Sequence, residues 1–114
     1  MKVVVNKKVG GFRLSDLALE KMLEVGFTLN DKDDGTEADI WKDPDDGSLY
    51  LMSWDEKKLR CDPRLIKIVE ELGEAANSWS SRLEIVEIPF ETTEGWHIVD
   101  NEGRESIHED HRVW

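Results

Sequence analysis

The sequence predicts an α+β fold in which a small antiparallel β-sheet is flanked by two α-helices. The chain has 114 residues, enough for one modest hydrophobic core but too few for two, so a single domain over residues 1–114 is expected. Apolar residues recur at helical spacing in two segments, and strand-like patterns fill most of the rest. Because the predicted strands are not regularly separated by helices, a doubly wound parallel sheet is disfavoured.

The N-terminal part of the chain supplies the first strand and the first helix. Residues 2–6, KVVVN, are short and β-branched, and a glycine pair at 10–11 ends that strand. A helix is expected from about Ser15 to Val25, where apolar residues recur every three or four positions. Its first two residues, a serine and an aspartate, are both suited to capping, and Gly26 follows its end.

The middle of the chain is strongly acidic and contains one strand candidate. Residues 31–46 hold eight acids and two lysines, a local charge of 2 − 8 = −6, which predicts an exposed loop or a weak hairpin. The stretch fails the calcium-loop pattern, because position 6 is Thr36 and position 12 is Lys42 when Asp31 is position 1. The run SLYLMSW at 48–54 alternates as a strand does.

The clearest helix start in the sequence is Asp62-Pro63. Aspartate caps the free amides of a helix, and proline fits the first helical position. An apolar stripe then carries the helix to about Leu72 or Ala76. Strands are expected at residues 82–88, before a proline, and at 96–99, with a turn at 100–103 leading to a terminal extended segment at 104–114.

Composition narrows the function before any motif is considered. Fifteen basic and 26 acidic residues give 15 − 26 = −11, which argues against a DNA or RNA binder. The N-terminal residues lack a signal-peptide stretch and no run could span a membrane, so a cytoplasmic protein is the expectation. The single cysteine, Cys61, predicts a packed and inert thiol. Five tryptophans favour a self-association surface or a ligand pocket.

The histidines do not form a recognisable metal or catalytic motif. His97, His108 and His111 are the only three, and the segment HIHED does not contain the HExxH arrangement of zinc hydrolases. Two residues three positions apart lie on opposite faces of a strand. Cys61 has no histidine at a diagnostic position, so the sequence favours neither a metal, nor a cofactor, nor catalysis.

Basic and aromatic residues instead suggest a nucleotide site. The first thirteen residues contain four cationic side chains and no acid, and Phe12 follows the glycine pair in this region. Arg60 precedes the second helix, and the chain ends in His111-Arg112-Val113-Trp114. Arginine matches phosphate oxygens and aromatic rings stack on bases. The alternative is that the same residues form surface ion pairs, core contacts and dimer contacts.

Four separated segments resemble one family of small phage proteins. They are Asn6-Lys7 through Gly10-Gly11-Phe12 to Leu14-Ser15; Arg60-x-Asp62-Pro63 with Leu65 to Gly73 and Ala76-Asn77; Ile85 to Pro89; and Glu105 to His111-Arg112-x-Trp114. The chain is similar to the Thoeris anti-defence 1 family over nearly its whole length. That family captures cyclic ADP-ribose isomers made by bacterial immune enzymes with TIR domains.

The resemblance carries expectations about the site and the assembly. It implies that Arg60 and Arg112 hold phosphate oxygens and that Phe12, Asn77, His111 and Trp114 contribute to the same ligand site. It also implies homodimers or trimers of dimers that bind the messenger without cleaving it, in the host cytoplasm during infection. Cyclic di- or trinucleotides are further ligands that the resemblance implies.

Three functional hypotheses follow from the sequence. The first is a non-catalytic sponge for glycocyclic ADP-ribose, with pockets between subunits. The alternative is an inhibitor that uses its acidic stretch at 31–46 to bind a basic host or defence protein. The third is an enzyme that degrades the nucleotide, with His108 or His111 as general base.

Overall fold

A computed structural model describes residues 1–32, 37–53 and 56–110. The chain forms seven strands, three α-helices and one 3₁₀ turn within these ranges. Their bounds are β1 Lys2–Asn6, α1 Asp16–Glu24, β2 Leu29–Asn30, β3 Ile40–Lys42, β4 Leu49–Leu51, α2 Lys57–Arg60, α3 Pro63–Leu72, the 3₁₀ turn Gly73–Ala76, β5 Leu83–Glu87, β6 Trp96–Asn101 and β7 Arg104–Glu109. The α+β class is therefore confirmed.

Both predicted helices form, and each begins at its predicted cap. The Ser15 side chain accepts a hydrogen bond from the Ala18 amide ahead of α1. The Asp62 side chain accepts a hydrogen bond from the Arg64 amide ahead of α3, and Pro63 occupies the first position of that helix. The prediction missed α2, a four-residue helix that begins after Glu56 without a side-chain cap. Such a short element has too little periodicity to be recognised from sequence.

The expected single antiparallel sheet is wrong in one respect, because the strands form three separate sheets. β1 pairs with β5 and β6 pairs with β7, both antiparallel. The third sheet has the order β2-β3-β4, in which β3 and β4 are antiparallel but β2 and β3 run parallel. Part of the acidic stretch thus forms one strand, β3, although its residues 33–36 lie outside the described residues.

The first strand is buried on both faces and divides the core in two. Val4 packs with α1 and α3 in the larger cluster. Val3 and Val5 face the other way and pack with Ile88 and Trp96. A strand that is buried on both faces has apolar residues at consecutive positions, which explains the sequence VVV.

The turn between β6 and β7 packs against the glycine pair of the N-terminal loop. Glu102 and Gly103 both have positive φ, 56° and 92°, as a two-residue type I′ hairpin turn requires. The Gly10 amide donates to the Glu102 carbonyl at 3.1 Å. A Cβ on Gly103 would meet the backbone nitrogens of Gly10, at 2.6 Å, and Gly11. The glycines at 10, 11 and 103 therefore allow the backbone of the β6–β7 turn to contact the backbone of the N-terminal loop.

Gly103→Ala is expected to destabilise the protein more than Gly47→Ala. Both positions have positive φ, but a Cβ at Gly47 meets only the Lys42 side chain at 3.8 Å. The shared backbone strain costs about 1–2 kcal/mol, and the clash at Gly103 adds about 1–3 kcal/mol. Urea unfolding measures the difference, and equal losses would show that the turn does not press on the loop.

Asp62→Ala is expected to lower the free energy of unfolding by about 1 kcal/mol at pH 7, because the α3 cap is lost. Hydrogen bonds from Arg64 hold the pKa of Asp62 below its usual value. The charged cap therefore stabilises the fold above the unfolded pKa of about 3.9 and is lost as pH falls through the lower folded pKa. Urea unfolding should show a smaller difference in unfolding free energy between the wild type and Asp62→Ala in this acidic range than at pH 7. A difference that does not change with pH would contradict the mechanism.

Candidate functional site

Arg60 is a buried residue that joins three elements. Its side chain is 1% exposed, and its guanidinium pairs with Glu105, which is 3% exposed. Arg60 Nη1 and Nη2 donate to the two carboxylate oxygens at 2.7 and 2.8 Å, and Nη1 also donates to the Val4 carbonyl at 3.2 Å. The Phe12 ring lies 3.6 Å from the guanidinium carbon. Helix α2, β1 and β7 are thereby fixed together.

Asn6 extends this buried network to the N-terminal loop. Its backbone N–H donates to Glu105 Oε1 at 2.8 Å, so the carboxylate binds both Arg60 and the backbone of β1. Its side-chain Nδ2 donates to the carbonyls of Lys8 and Gly103 at 2.7 and 2.6 Å. Its Oδ1 accepts from the Arg82 amide at 2.9 Å. Neither Asn6 nor Glu105 was predicted to be buried, since isolated polar residues in strands carry no signal of burial.

The burial of Arg60 corrects its predicted role. An accessible phosphate ligand needs free N–H groups at a surface, whereas both terminal nitrogens of this guanidinium are bonded to Glu105. Within the single chain, Arg60 is a structural residue. Phe12 is also mostly buried, at 6% exposure, and its ring stacks on Arg60, although Phe12 lies along the wall of a surface cavity described below.

Asn77 has a structural role in the chain as well. Its Oδ1 accepts a hydrogen bond from the Leu83 amide at 2.8 Å, and Asn77 forms an isolated β-bridge with Leu14. These contacts order the turn that leads into β5. Residues His111, Arg112 and Trp114 lie outside the described residues. Three of the six predicted site residues are described, and among these three a contact is seen between Arg60 and Phe12.

An open cavity lies beside the N-terminal loop, and we call it the loop cavity. It has a volume of about 980 Å³, within the range of small-molecule sites. Its walls come from the loop, the start of α1, strand β4, the segment before β5 and the β6–β7 turn. Residues that line it include Gly11, Arg13, Ser15, Tyr50, Trp79 and Gly103.

The loop cavity combines exposed aromatic rings with one exposed guanidinium. Trp79 is 84% exposed and Tyr50 is 47% exposed, so both rings are accessible to a ligand. Lys8 Nζ donates to the Trp79 carbonyl at 3.1 Å and so ties this residue to the loop. Arg13 is exposed. Gly11 adds open backbone, with nothing within 4 Å of where a Cβ would stand.

Acidic side chains also line the loop cavity. They belong to Asp16, Asp100 and Glu102. The Asp100 carboxylate accepts a hydrogen bond from the Gly103 amide at 2.7 Å and helps to form the turn. Among the cavity's described residues, three carboxylates therefore stand against the single guanidinium of Arg13. An anionic ligand would need at least one more cationic group.

The cysteine and the two described histidines are the remaining candidates for reactive side chains. Burial raises the pKa of the Cys61 thiol, which disfavours the reactive thiolate. His97 Nδ1 is hydrogen-bonded to the Asp110 carboxylate, and His108 Nε2 lies 3.0 Å from Ser106 Oγ. Over residues 1–32, 37–53 and 56–110, no group of three or more histidine, cysteine or acidic side chains is placed to hold a metal ion. None of the helices in these ranges is long and apolar enough to cross a bilayer.

Comparison with protein-family models, curated proteins and solved structures finds no match for this chain.

Arg60→Ala is expected to destabilise the fold by about 3–5 kcal/mol, because it leaves the buried Glu105 carboxylate without its partner. Urea unfolding followed by far-UV circular dichroism measures the loss. Arg64→Ala is the matched control, since the Arg64 guanidinium is exposed, pairs with Asp62 at 2.9 Å and lies over the Phe27 ring. The control should lose about 1 kcal/mol or less.

The double variant Arg60→Met, Glu105→Leu separates charge from packing. Replacing both partners of a buried ion pair with apolar side chains is often close to neutral. We therefore expect it to recover part of the stability that Arg60→Ala loses, because the uncompensated charge is gone while the Asn6 amide and the Val4 carbonyl still lose these partners. A double variant no more stable than Arg60→Ala would show that the uncompensated charge is not the cause.

Proposed function

We propose that the chain is a non-catalytic protein that captures an anionic cyclic nucleotide messenger. Glycocyclic ADP-ribose is the ligand class implied by the resemblance to Thoeris anti-defence 1, with cyclic di- and trinucleotides as further ligands. On this proposal, the protein acts in the host cytoplasm during phage infection. It assembles as a homodimer or larger homo-oligomer, lowers the free concentration of a bacterial immune signal and leaves the signal intact.

The observation that carries the proposal is the placement of exposed Trp79, Tyr50 and Arg13 around one open cavity beside the glycine pair. Base–aromatic stacking contributes about 1–3 kcal/mol per base. A guanidinium forms paired, charge-assisted hydrogen bonds with phosphate oxygens. The open backbone at Gly11 allows a ligand to approach closely. These are the groups that an adenine nucleotide requires.

The acidic residues of the loop cavity make a second cation necessary, and we assign this role to Arg112. Asp110, the last described residue, pairs with Gly95 at the open end of the β6–β7 hairpin. That end is about 20 Å along the strand from the Glu102–Gly103 turn that lines the cavity. We therefore propose that Arg112 of a second copy completes the site, in line with the ligand pockets between subunits that the resemblance implies.

Capture requires tight binding but no chemistry. A dissociation constant near 10 nM corresponds to about −11 kcal/mol. A sponge present above the concentration of the messenger then holds the free messenger below the threshold of its effector. Base stacking and charge-assisted phosphate contacts contribute to such an affinity, and a pocket that is already formed lowers the cost of binding.

Calorimetry with glycocyclic ADP-ribose tests the site. Trp79→Ala is expected to weaken binding by at least tenfold through lost stacking. Arg13→Ala and Arg112→Ala, each made alone, should weaken binding more than Trp79→Ala does, because each removes phosphate contacts. Lys67→Ala is the matched control, because Lys67 is an exposed cation on α3 that pairs with Glu71 at 3.9 Å. Unchanged affinity in the three site variants would refute the assignment of the loop cavity.

Recovery of the ligand separates a sponge from an enzyme. Glycocyclic ADP-ribose is incubated with the protein, the complex is heated, and the released small molecules are analysed by mass spectrometry. A sponge returns the messenger with unchanged mass at the amount loaded. Any stoichiometric cleavage product would contradict the proposal and favour hydrolysis.

A further inference from the structure

The sheet β2-β3-β4 has one face in the core and one face without a partner among the described residues. Ile40 is fully buried, and its cross-strand neighbour Leu51 packs on the same core cluster. Trp41 and Tyr50 are cross-strand neighbours on the opposite face, with ring centroids 5.6 Å apart and planes tilted by 31°. Met52, one residue beyond β4, is 56% exposed. An apolar surface of this kind marks an interaction site.

A pocket of about 720 Å³ opens at this face, and we call it the acidic pocket. Trp41 and Met52 supply its apolar walls, and Glu37, Asp39 and Glu56 supply carboxylates. Lys32 is the one cationic residue in its described lining. The pocket therefore carries a net negative charge beside an aromatic ring.

The carboxylates of the acidic pocket differ in how they are used. Asp39 Oδ2 accepts hydrogen bonds from the amide and the hydroxyl of Thr28, both at 2.9 Å, and is occupied by the fold. Glu37 and Glu56 are exposed, and within the described part of the chain neither forms an ion pair. Glu56 precedes α2 but its side chain does not cap the helix. Two carboxylates are thus available to a ligand.

The acidic pocket offers an aromatic ring and two exposed carboxylates to a ligand. Guanidinium has five N–H donors, lies flat on aromatic rings and pairs with carboxylates. Its chemistry matches every one of these groups.

We propose that the acidic pocket is a docking site for an arginine side chain presented by a basic segment of another protein. The guanidinium stacks on the Trp41 indole and donates to Glu37 and Glu56, while the apolar stem packs on Met52. The linings of the acidic pocket and the loop cavity share no residue, although Trp41 of the first contacts Tyr50 of the second. The chain would thus bind a protein through one surface and a nucleotide through another.

The probe is a short fluorescein-labelled peptide of alternating glycine and arginine, followed by fluorescence anisotropy at about 150 mM salt, where nonspecific charge attraction is screened. Glu37→Gln with Glu56→Gln is expected to weaken binding by about tenfold or more. The matched control, Glu20→Gln with Glu91→Gln, removes the same charge from exposed positions outside both pockets and should change affinity less than about twofold. Equal weakening by both double variants, or no binding to the wild-type chain, would overturn the proposal.

Two further measurements define the occupant. A glycine–lysine peptide of equal charge should bind more weakly, because ammonium lacks the planar fork. In NMR spectra, the arginine peptide should shift the indole N–H signal of Trp41, identified with Trp41→Phe, and leave that of Trp79 in place. Equal affinity for the lysine peptide would overturn the assignment to arginine. Complete displacement of the peptide by equimolar spermine would point to a small polyamine ligand instead.

Discussion

The buried pair between Arg60 and Glu105 is the interaction on which the arrangement of the chain depends. Removing two charges from water is costly, and only complete hydrogen bonding offsets the cost. Here both ends of the guanidinium reach the carboxylate, which also accepts from the Asn6 amide. Because β1 and β7 belong to separate sheets, these side chains join strands that no backbone ladder connects.

Local signals were sufficient to predict much of the fold. The caps at Ser15 and Asp62 involve residues within three positions of each other, so a sequence pattern contains the whole interaction. The Glu102–Gly103 turn is local in the same way. The division of the strands into three sheets depends on pairings between distant segments, such as Lys2 with Glu87, which composition and spacing do not specify.

The candidate site shows why residue chemistry alone is ambiguous. An arginine fork fits a carboxylate as well as a phosphate, and the partner of Arg60 is 45 positions away in the sequence. Phe12 lies along a wall of the loop cavity, but its ring also covers that arginine. Trp79 was also missed, although it stands among serines without apolar periodicity, a setting in which a tryptophan has no core to fill.

The contact between the hairpin turn and the glycine pair limits how this chain can vary in length. Hairpin turns are usually places where insertions are tolerated. Here the Glu102 carbonyl and the Gly103 backbone lie directly on Gly10 and Gly11. Even one inserted residue would lift the loop and move a wall of the neighbouring cavity. Diversification of this protein is thus expected to proceed by substitution around the cavity rimmed by Trp79, with the turn kept at two residues.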